Sequence, residues 1–119
     1  MAKILVVDDA AFMRLRVVKL LAEAGHDVTE AENGRLAVES YKRDRPDAVL
    51  MDITMPEMDG LEALEAIRAH DPEARIAMLT AMGQQSIVLD AIKRGARDFV
   101  VKPFAPDRVL AAVSKLLPA

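Results

Sequence analysis

The sequence predicts an α/β fold in which a five-stranded parallel sheet carries five helices on its two faces. Short apolar, β-branched runs alternate along the 119 residues with longer segments whose apolar residues recur at helical spacing. The short runs are apolar throughout, as expected for parallel strands that are buried on both faces. Strict alternation of strands and helices implies right-handed crossovers and therefore a doubly wound sheet.

Three strands are predicted in the first half of the chain, at residues 3–7, 28–31 and 48–51. The second of these is partly polar, which suggests a position at the edge of the sheet. The helix predicted over residues 10–24 ends at Gly25, because glycine readily adopts the positive φ of a helix terminus. Asn33 and Gly34 mark a turn before the second helix, which stops in the polar stretch that ends at Pro46.

The second half contains two further strands, at residues 76–79 and 99–101. The third helix ends before Pro72, and the fourth is predicted over residues 84–94. Three residues of the fourth helix are predicted to face the core: Val88, Ala91 and Ile92. Pro106, which suits the first turn of a helix, opens the fifth.

Composition narrows the class of protein. At 119 residues we expect one domain that spans residues 1–119. The net charge of -3 argues against binding to nucleic acid, because no basic excess is available to neutralise phosphates. The chain has no cysteine, no signal peptide and no long apolar span, so we expect a cytoplasmic protein that does not enter a membrane.

Polar side chains that can bind ligands or take part in reactions follow four of the predicted strands. Asp8 and Asp9 come after the first strand, Asp52 after the third, Thr80 after the fourth and Lys102 after the fifth. The carboxyl ends of parallel strands share one edge of the sheet, where open α/β folds place their ligand sites. We therefore expect these side chains to lie close together.

This set of side chains predicts a site for phosphoryl transfer. Crowded carboxylates repel one another and so need raised pKa values, a cation, or both. Oxygen ligands of this kind suit Mg²⁺ together with phosphate oxygens. Lys102 can neutralise a carboxylate or a phosphoryl oxygen, Thr80 can donate a hydrogen bond, and Asp52 can act as the nucleophile. Each residue alone also has a structural explanation. Asp9, for example, could cap the helix that starts at Ala10, but the coincidence at four strand ends favours the functional interpretation.

The motifs at these strand ends closely resemble those of a response regulator receiver domain, over the full length of the chain. The matching segments are Val7-Asp8-Asp9, Met51-Asp52-Ile53-Thr54-Met55-Pro56 with Asp59-Gly60, Leu79-Thr80-Ala81 and Val101-Lys102-Pro103-Phe104. Within that family, segments 8–14 and 81–85 look most like the stand-alone chemotaxis (CheY-like) type. The resemblance implies the flavodoxin-like fold of CheY-like receivers, in agreement with the fold predicted above.

The resemblance also implies how the site would work. Asp52 would accept phosphate from a histidine kinase or from a small phosphodonor. Mg²⁺ would be bound directly by Asp9, by Asp52 and by the backbone carbonyl of Thr54, while Asp8 would act through water.

A second group of residues would report phosphorylation. By the same resemblance, Thr80 would move to bond the phosphoryl group, and Phe99 would swing inward behind it. Lys102 would pair with a phosphoryl oxygen, and the bond between Lys102 and Pro103 is expected to be cis. The output surface would comprise the fourth helix, the fifth strand and the fifth helix, where the switch biases an existing equilibrium between two states.

The protein implied by this resemblance is a signalling module and not an enzyme, with self-phosphorylation and slow self-dephosphorylation as its only reactions. Its expected partners are a histidine kinase and an output protein such as a flagellar motor switch protein, with a phosphatase as a further candidate. We expect a monomer. The receiver half of a longer transcriptional regulator would show the same motifs and stays open as an alternative.

Three other functions fit less well. A phosphatase of the haloacid dehalogenase type would need an aspartate two residues after its nucleophile, where this chain has Thr54, and its acid pair would follow the lysine. A flavodoxin-like cofactor module would hold phosphate in a loop after the first strand, where Asp8 and Asp9 would repel it. An inert receiver-like scaffold would be expected to lack the acceptor, the hydroxyl or the lysine, and this chain has all three.

Two positions would flank the phosphoryl group. Thr54 lies two residues after Asp52, and Met82 lies two residues after Thr80. Because Met82 is apolar, we expect it to shield an acyl phosphate from attacking water and to slow self-dephosphorylation.

Overall fold

The computed structural model describes residues 2–118 and confirms the predicted architecture. The strands are β1 (Lys3–Val7), β2 (Asp27–Ala31), β3 (Ala48–Met51), β4 (Ile76–Thr80) and β5 (Asp98–Val101). The helices are α1 (Ala11–Glu23), α2 (Gly34–Asp44), α3 (Gly60–His70), α4 (Gln85–Lys93) and α5 (Pro106–Leu116). All neighbouring strands are parallel, and their order is β2-β1-β3-β4-β5. The predicted edge position of β2 is therefore confirmed.

The sheet separates two apolar cores, because successive side chains of a strand point to opposite faces. On β1, Leu5 and Val7 belong to one core, which α2, α3 and α4 cover. Ile4 and Val6 belong to the other, which α1 and α5 cover. All four of these side chains are at most 2% exposed, as continuous apolar strands require.

The helix ends follow the predicted signals with one difference. Gly25 and Gly95, which follow α1 and α4, both have positive φ, at 94° and 112°. Asn33 caps α2, because its side chain accepts a hydrogen bond from the backbone N–H of Leu36 at 2.8 Å. The Asn33-Gly34 pair therefore forms the start of α2 itself, whereas the sequence indicated only a turn that precedes the helix.

The predicted inner face of α4 is partly wrong. Ala91 is buried as expected, but Ile92 is 53% exposed. The apolar residue that packs on the core with Ala91 is Ile87, four positions earlier on the same helical face. Ile92 instead lies three positions after the exposed Leu89, so α4 carries an apolar stripe on its outer side as well.

The helices are short in comparison with a lipid bilayer. The longest, α1, has 13 residues and so extends about 20 Å at 1.5 Å per residue. Within residues 2–118, none of the helices has the length and apolar character needed to cross a membrane.

Candidate functional site

The pairing of β1 with its two neighbours brings the acidic residues together. The hydrogen-bond ladder continues one residue beyond β3 and β1: the backbone N–H of Asp52 donates to the carbonyl of Val7 at 2.9 Å, and that of Asp8 to the carbonyl of Ala31 at 3.2 Å. Asp9 follows directly. One carboxylate oxygen from each of Asp8, Asp9 and Asp52 lies within 4.8 Å of the others, so the predicted acidic cluster is present.

Lys102 enters this cluster from the end of β5. Its backbone N–H donates to the carbonyl of Thr80 at 2.7 Å, which places it beside the end of β4, and its peptide bond to Pro103 is cis. The Lys102 Nζ lies 2.7 Å from Asp8 Oδ2 and 3.5 Å from Asp52 Oδ2. The ammonium group therefore contacts both buried carboxylates and is held more closely by Asp8.

The Asp52 carboxyl is buried, with only 8% of the residue exposed. Burial raises its pKa above the usual value, and the nearby Lys102 ammonium group opposes this effect. One carboxylate oxygen of Asp52 accepts a hydrogen bond from the backbone N–H of Ile53 at 2.7 Å, which fixes the orientation of the group. The carboxyl is thus shielded from bulk water and held at the opening formed by the strand ends.

The cluster fits a divalent cation in both ligand type and charge. Three carboxylates and one ammonium group carry a formal charge of -3 plus 1, or -2, which one Mg²⁺ would balance. Carboxylate and carbonyl oxygens are the ligands that Mg²⁺ prefers in proteins. Asp9 is exposed, whereas Asp8 and Asp52 are buried, so the cluster is open to solvent on the Asp9 side.

The alternative role of Asp9 as a helix cap is wrong. Ala10 is the capping residue of α1, and no side chain caps the helix at that position. Asp8 supports the loop instead, since its Oδ1 accepts a hydrogen bond from the backbone N–H of Ala10 at 2.9 Å. The exposed carboxylate of Asp9 is therefore free to serve as a ligand.

Thr80 and Phe99 lie on the neighbouring strands β4 and β5. Thr80 ends β4, is 1% exposed, and accepts a hydrogen bond from the backbone N–H of Met82 at 3.3 Å. Phe99 lies on the neighbouring β5, opposite Met78, and its partly buried ring packs against the core under α4. Thr80 thus lies at the strand end beside the acidic residues, and Phe99 packs on the core that α4 helps to cover.

Thr54 and Met82 contact each other across the opening of the site. The Thr54 Oγ1 donates to the Met82 Sδ at 2.9 Å. Met82 is partly buried against the apolar core, while Thr54 is exposed. The two flanking positions therefore form one rim between β3 and β4.

Arg14 is a member of this region that we did not predict, because its place in the helical pattern of α1 indicated a solvent-facing side chain. Its Nη1 donates to the backbone carbonyl of Asp8 at 2.6 Å, and its Nε pairs with Glu30 at 2.8 Å. The usable signal in the sequence is its position five residues after Asp9, together with the acid Glu30 near the end of β2.

The family model for the response regulator receiver domain matches residues 4–114. The chain belongs to this family. The sequence of this receiver domain is 60% identical to that of the chemotaxis protein CheY of Bacillus subtilis, over 97% of both chains. It is 54% identical to CheY of Thermotoga maritima, over 96% of both chains.

Solved structures resemble this receiver domain throughout its length. A chain of the CheX-CheY-BeF₃-Mg²⁺ complex from Borrelia burgdorferi aligns with a TM-score of 0.93 and 35% identity. The alignment covers 97% of this chain and 88% of the other. The CheY-like receiver fold that the sequence predicts is therefore confirmed.

Proposed function

We propose that this receiver domain, taken as one unit over residues 1–119, is phosphorylated on Asp52 and signals through that modification. The observation that carries the proposal is the close grouping of three carboxylates with the Lys102 ammonium group at the carboxyl edge of the sheet. An oxygen of Asp52 forms a bond to phosphorus while the bond from phosphorus to the donor breaks. The donor is a histidine kinase or a small phosphorylated molecule.

The side chains around Asp52 have separate roles in this transfer. Asp9, Asp52 and the Thr54 carbonyl would hold Mg²⁺ directly, and Asp8 through water. When bound, the ion neutralises charge on the phosphoryl oxygens, which is the main requirement of such a transfer. Lys102 contacts two carboxylates in the structure and can move its mobile ammonium group to a phosphoryl oxygen. The hydrogen bond from the Ile53 N–H orients the buried Asp52 carboxylate for its attack on phosphorus.

Occupancy of Asp52 is the signal, and the domain is not a turnover enzyme. Thr54 stands where a dehalogenase-type phosphatase would need its acid and base, and a threonine hydroxyl does not supply that chemistry. The reactions left to the domain are phosphorylation from donors and slow hydrolysis of its own acyl phosphate.

The output surface consists of α4, β5 and α5. Three exposed apolar side chains on α4 and β5 favour this assignment, since they offer contact area to a partner: Leu89, Ile92 and Val101. Thr80 would move toward the phosphoryl group, Phe99 would turn inward, and the packing under α4 would change.

The similarity to CheY proteins favours a role in chemotaxis. The domain would receive phosphate from a chemotaxis histidine kinase and bind a flagellar motor switch protein, as a cytoplasmic monomer. A phosphatase that removes the signal is a further partner.

Beryllofluoride, which mimics a phosphoryl group, tests this proposal. With Mg²⁺ present, we expect it to shift the ¹H–¹⁵N resonances of Thr80 and Lys102 and those of α4 and β5. Asp52→Asn, which has no carboxylate to bind it, should show none of these shifts. Shifts that persist in Asp52→Asn, or none in the parent, would contradict the proposal. A pull-down with the same complex identifies the output protein.

Met82→Glu is expected to shorten the lifetime of phosphorylated protein by about tenfold, which corresponds to about 1.4 kcal/mol in the barrier to hydrolysis. A carboxylate would replace the apolar Met82 side chain, which contacts Thr54 at the rim, and would draw water to the acyl phosphate. The lifetime is followed by the decay of the phosphorylated mass after the donor is removed. Met82→Leu, which keeps an apolar side chain, should behave like the parent. An equal or longer lifetime in Met82→Glu would disprove the shielding role.

A further inference from the structure

Arg14 joins the ends of β1 and β2 beside the acidic cluster. Its guanidinium group donates to the Asp8 carbonyl at 2.6 Å through Nη1 and contacts Glu30 at 2.8 Å through Nε. The Arg14 side chain is 16% exposed, so its bond to the Asp8 carbonyl is partly shielded from bulk water, whereas its partner Glu30 is 39% exposed. Charge-assisted bonds of this kind are short and directional.

The Asp8 carbonyl belongs to the peptide unit that joins Asp8 to Asp9. The Asp8 carboxylate has supports of its own, from Lys102 and from the Ala10 N–H. The Asp9 carboxylate is exposed, so its direction depends mainly on the backbone that carries it. Because peptide units are planar, a hydrogen bond to the Asp8 carbonyl restrains rotation on both sides of that unit. The bond from Arg14 can therefore influence the direction of Asp9 through the backbone.

We propose that Arg14 is a positioning residue for the metal site, which sets the Asp8–Asp9 peptide so that Asp9 points into the acidic cluster. This inference rests on the proposed function, since it takes the cluster to be a Mg²⁺ site. Groups that orient metal ligands without touching the metal commonly change metal affinity by 10- to 100-fold when removed.

Electrostatics alone would have the opposite effect. The Arg14 cation lies next to the acidic cluster and repels a second cation, so its removal should strengthen Mg²⁺ binding if charge were its only contribution. The positioning role requires weaker binding instead. The sign of the change therefore separates the two explanations.

The test measures the dissociation constant of Mg²⁺ by calorimetric titration of the metal-free chain. We expect Arg14→Met to raise it about tenfold. Arg14→Lys keeps the charge but loses the planar fork that reaches both partners, and should also bind Mg²⁺ more weakly than the parent. In metal-free protein, Arg14→Met should shift the ¹H–¹⁵N resonances of Asp9 and Ala10.

Arg108 offers a matched control. Like Arg14, it contacts a carboxylate, that of Asp98 at 3.1 Å, and a backbone carbonyl, that of Phe99 at 3.2 Å. Arg108→Met should lower the melting temperature as Arg14→Met does, yet bind Mg²⁺ like the parent. Unchanged or tighter Mg²⁺ binding in Arg14→Met, or equal weakening in both variants, would overturn the inference. A parent chain that binds no Mg²⁺ at all would instead overturn the proposed function.

Discussion

Replacement of Gly60 by alanine is expected to lower the free energy of unfolding by about 3 kcal/mol and to impair the site. A Cβ at Gly60 would lie 1.9 Å from the carbonyl oxygen of Asp52 and 2.8 Å from the Cα of Ile53. These are backbone atoms at the end of β3, so they cannot rotate away as a side chain could. The first turn of α3 must therefore separate from the segment that carries Asp52.

The separation would also break a local hydrogen bond. The Gly60 N–H donates to the Ile53 carbonyl at 2.7 Å, and this bond joins the start of α3 to the segment that carries Asp52. Since Asp52 and Thr54 lie on the same segment, we expect weaker Mg²⁺ binding as well as lower stability.

Urea denaturation of both proteins measures the change in stability. Gly83→Ala is the matched control, because the nearest atoms to a Cβ there would belong to the Val101 side chain, with its two methyl groups at 3.1 Å. Those methyl groups can adjust, so Gly83→Ala should change stability by well under 1 kcal/mol. A Gly60→Ala protein as stable as the parent would show that α3 can shift at no cost.

Most of the fold could be predicted because its signals are local. Continuous apolar runs such as β1 and β3 indicate strands buried on both faces, and helix ends are marked by residues with special backbone preferences, such as Gly25 and Gly95. The site residues could be predicted for a related reason. In a parallel sheet, the carboxyl ends of all strands lie at the same edge. A residue that directly follows a strand is therefore placed near the residues that follow the other strands.

Features that depend on several elements at once could not be predicted. The inner face of α4 depends on the angle at which the helix meets the sheet, and Ile87 and Ile92 are equally apolar in the sequence. The choice of Lys102 between Asp8 and Asp52 depends on distances of 2.7 and 3.5 Å that no sequence pattern encodes. The contact of Arg14 with the Asp8 carbonyl depends on backbone geometry at the end of β1.

Asp52→Asn is expected to abolish phosphorylation completely. The amide has no negatively charged oxygen to attack phosphorus, while its size and shape preserve the packing at the end of β3. The buried position of Asp52 and its hydrogen bond to the Ile53 N–H favour it as the acceptor over the exposed Asp9. Removal of Mg²⁺ with a chelator should likewise prevent labelling of the parent, because the charge on the three carboxylates would then repel the donor.

The most direct test of this account is the intact mass of the protein after incubation with Mg²⁺ and acetyl phosphate. We predict that the parent gains the mass of one phosphoryl group and that Asp52→Asn gains none. Labelling that survives in Asp52→Asn, or no labelling of the parent, would contradict the assignment of Asp52 as the acceptor. Continuous release of phosphate at an enzyme-like rate would contradict the conclusion that occupancy of Asp52 is the signal.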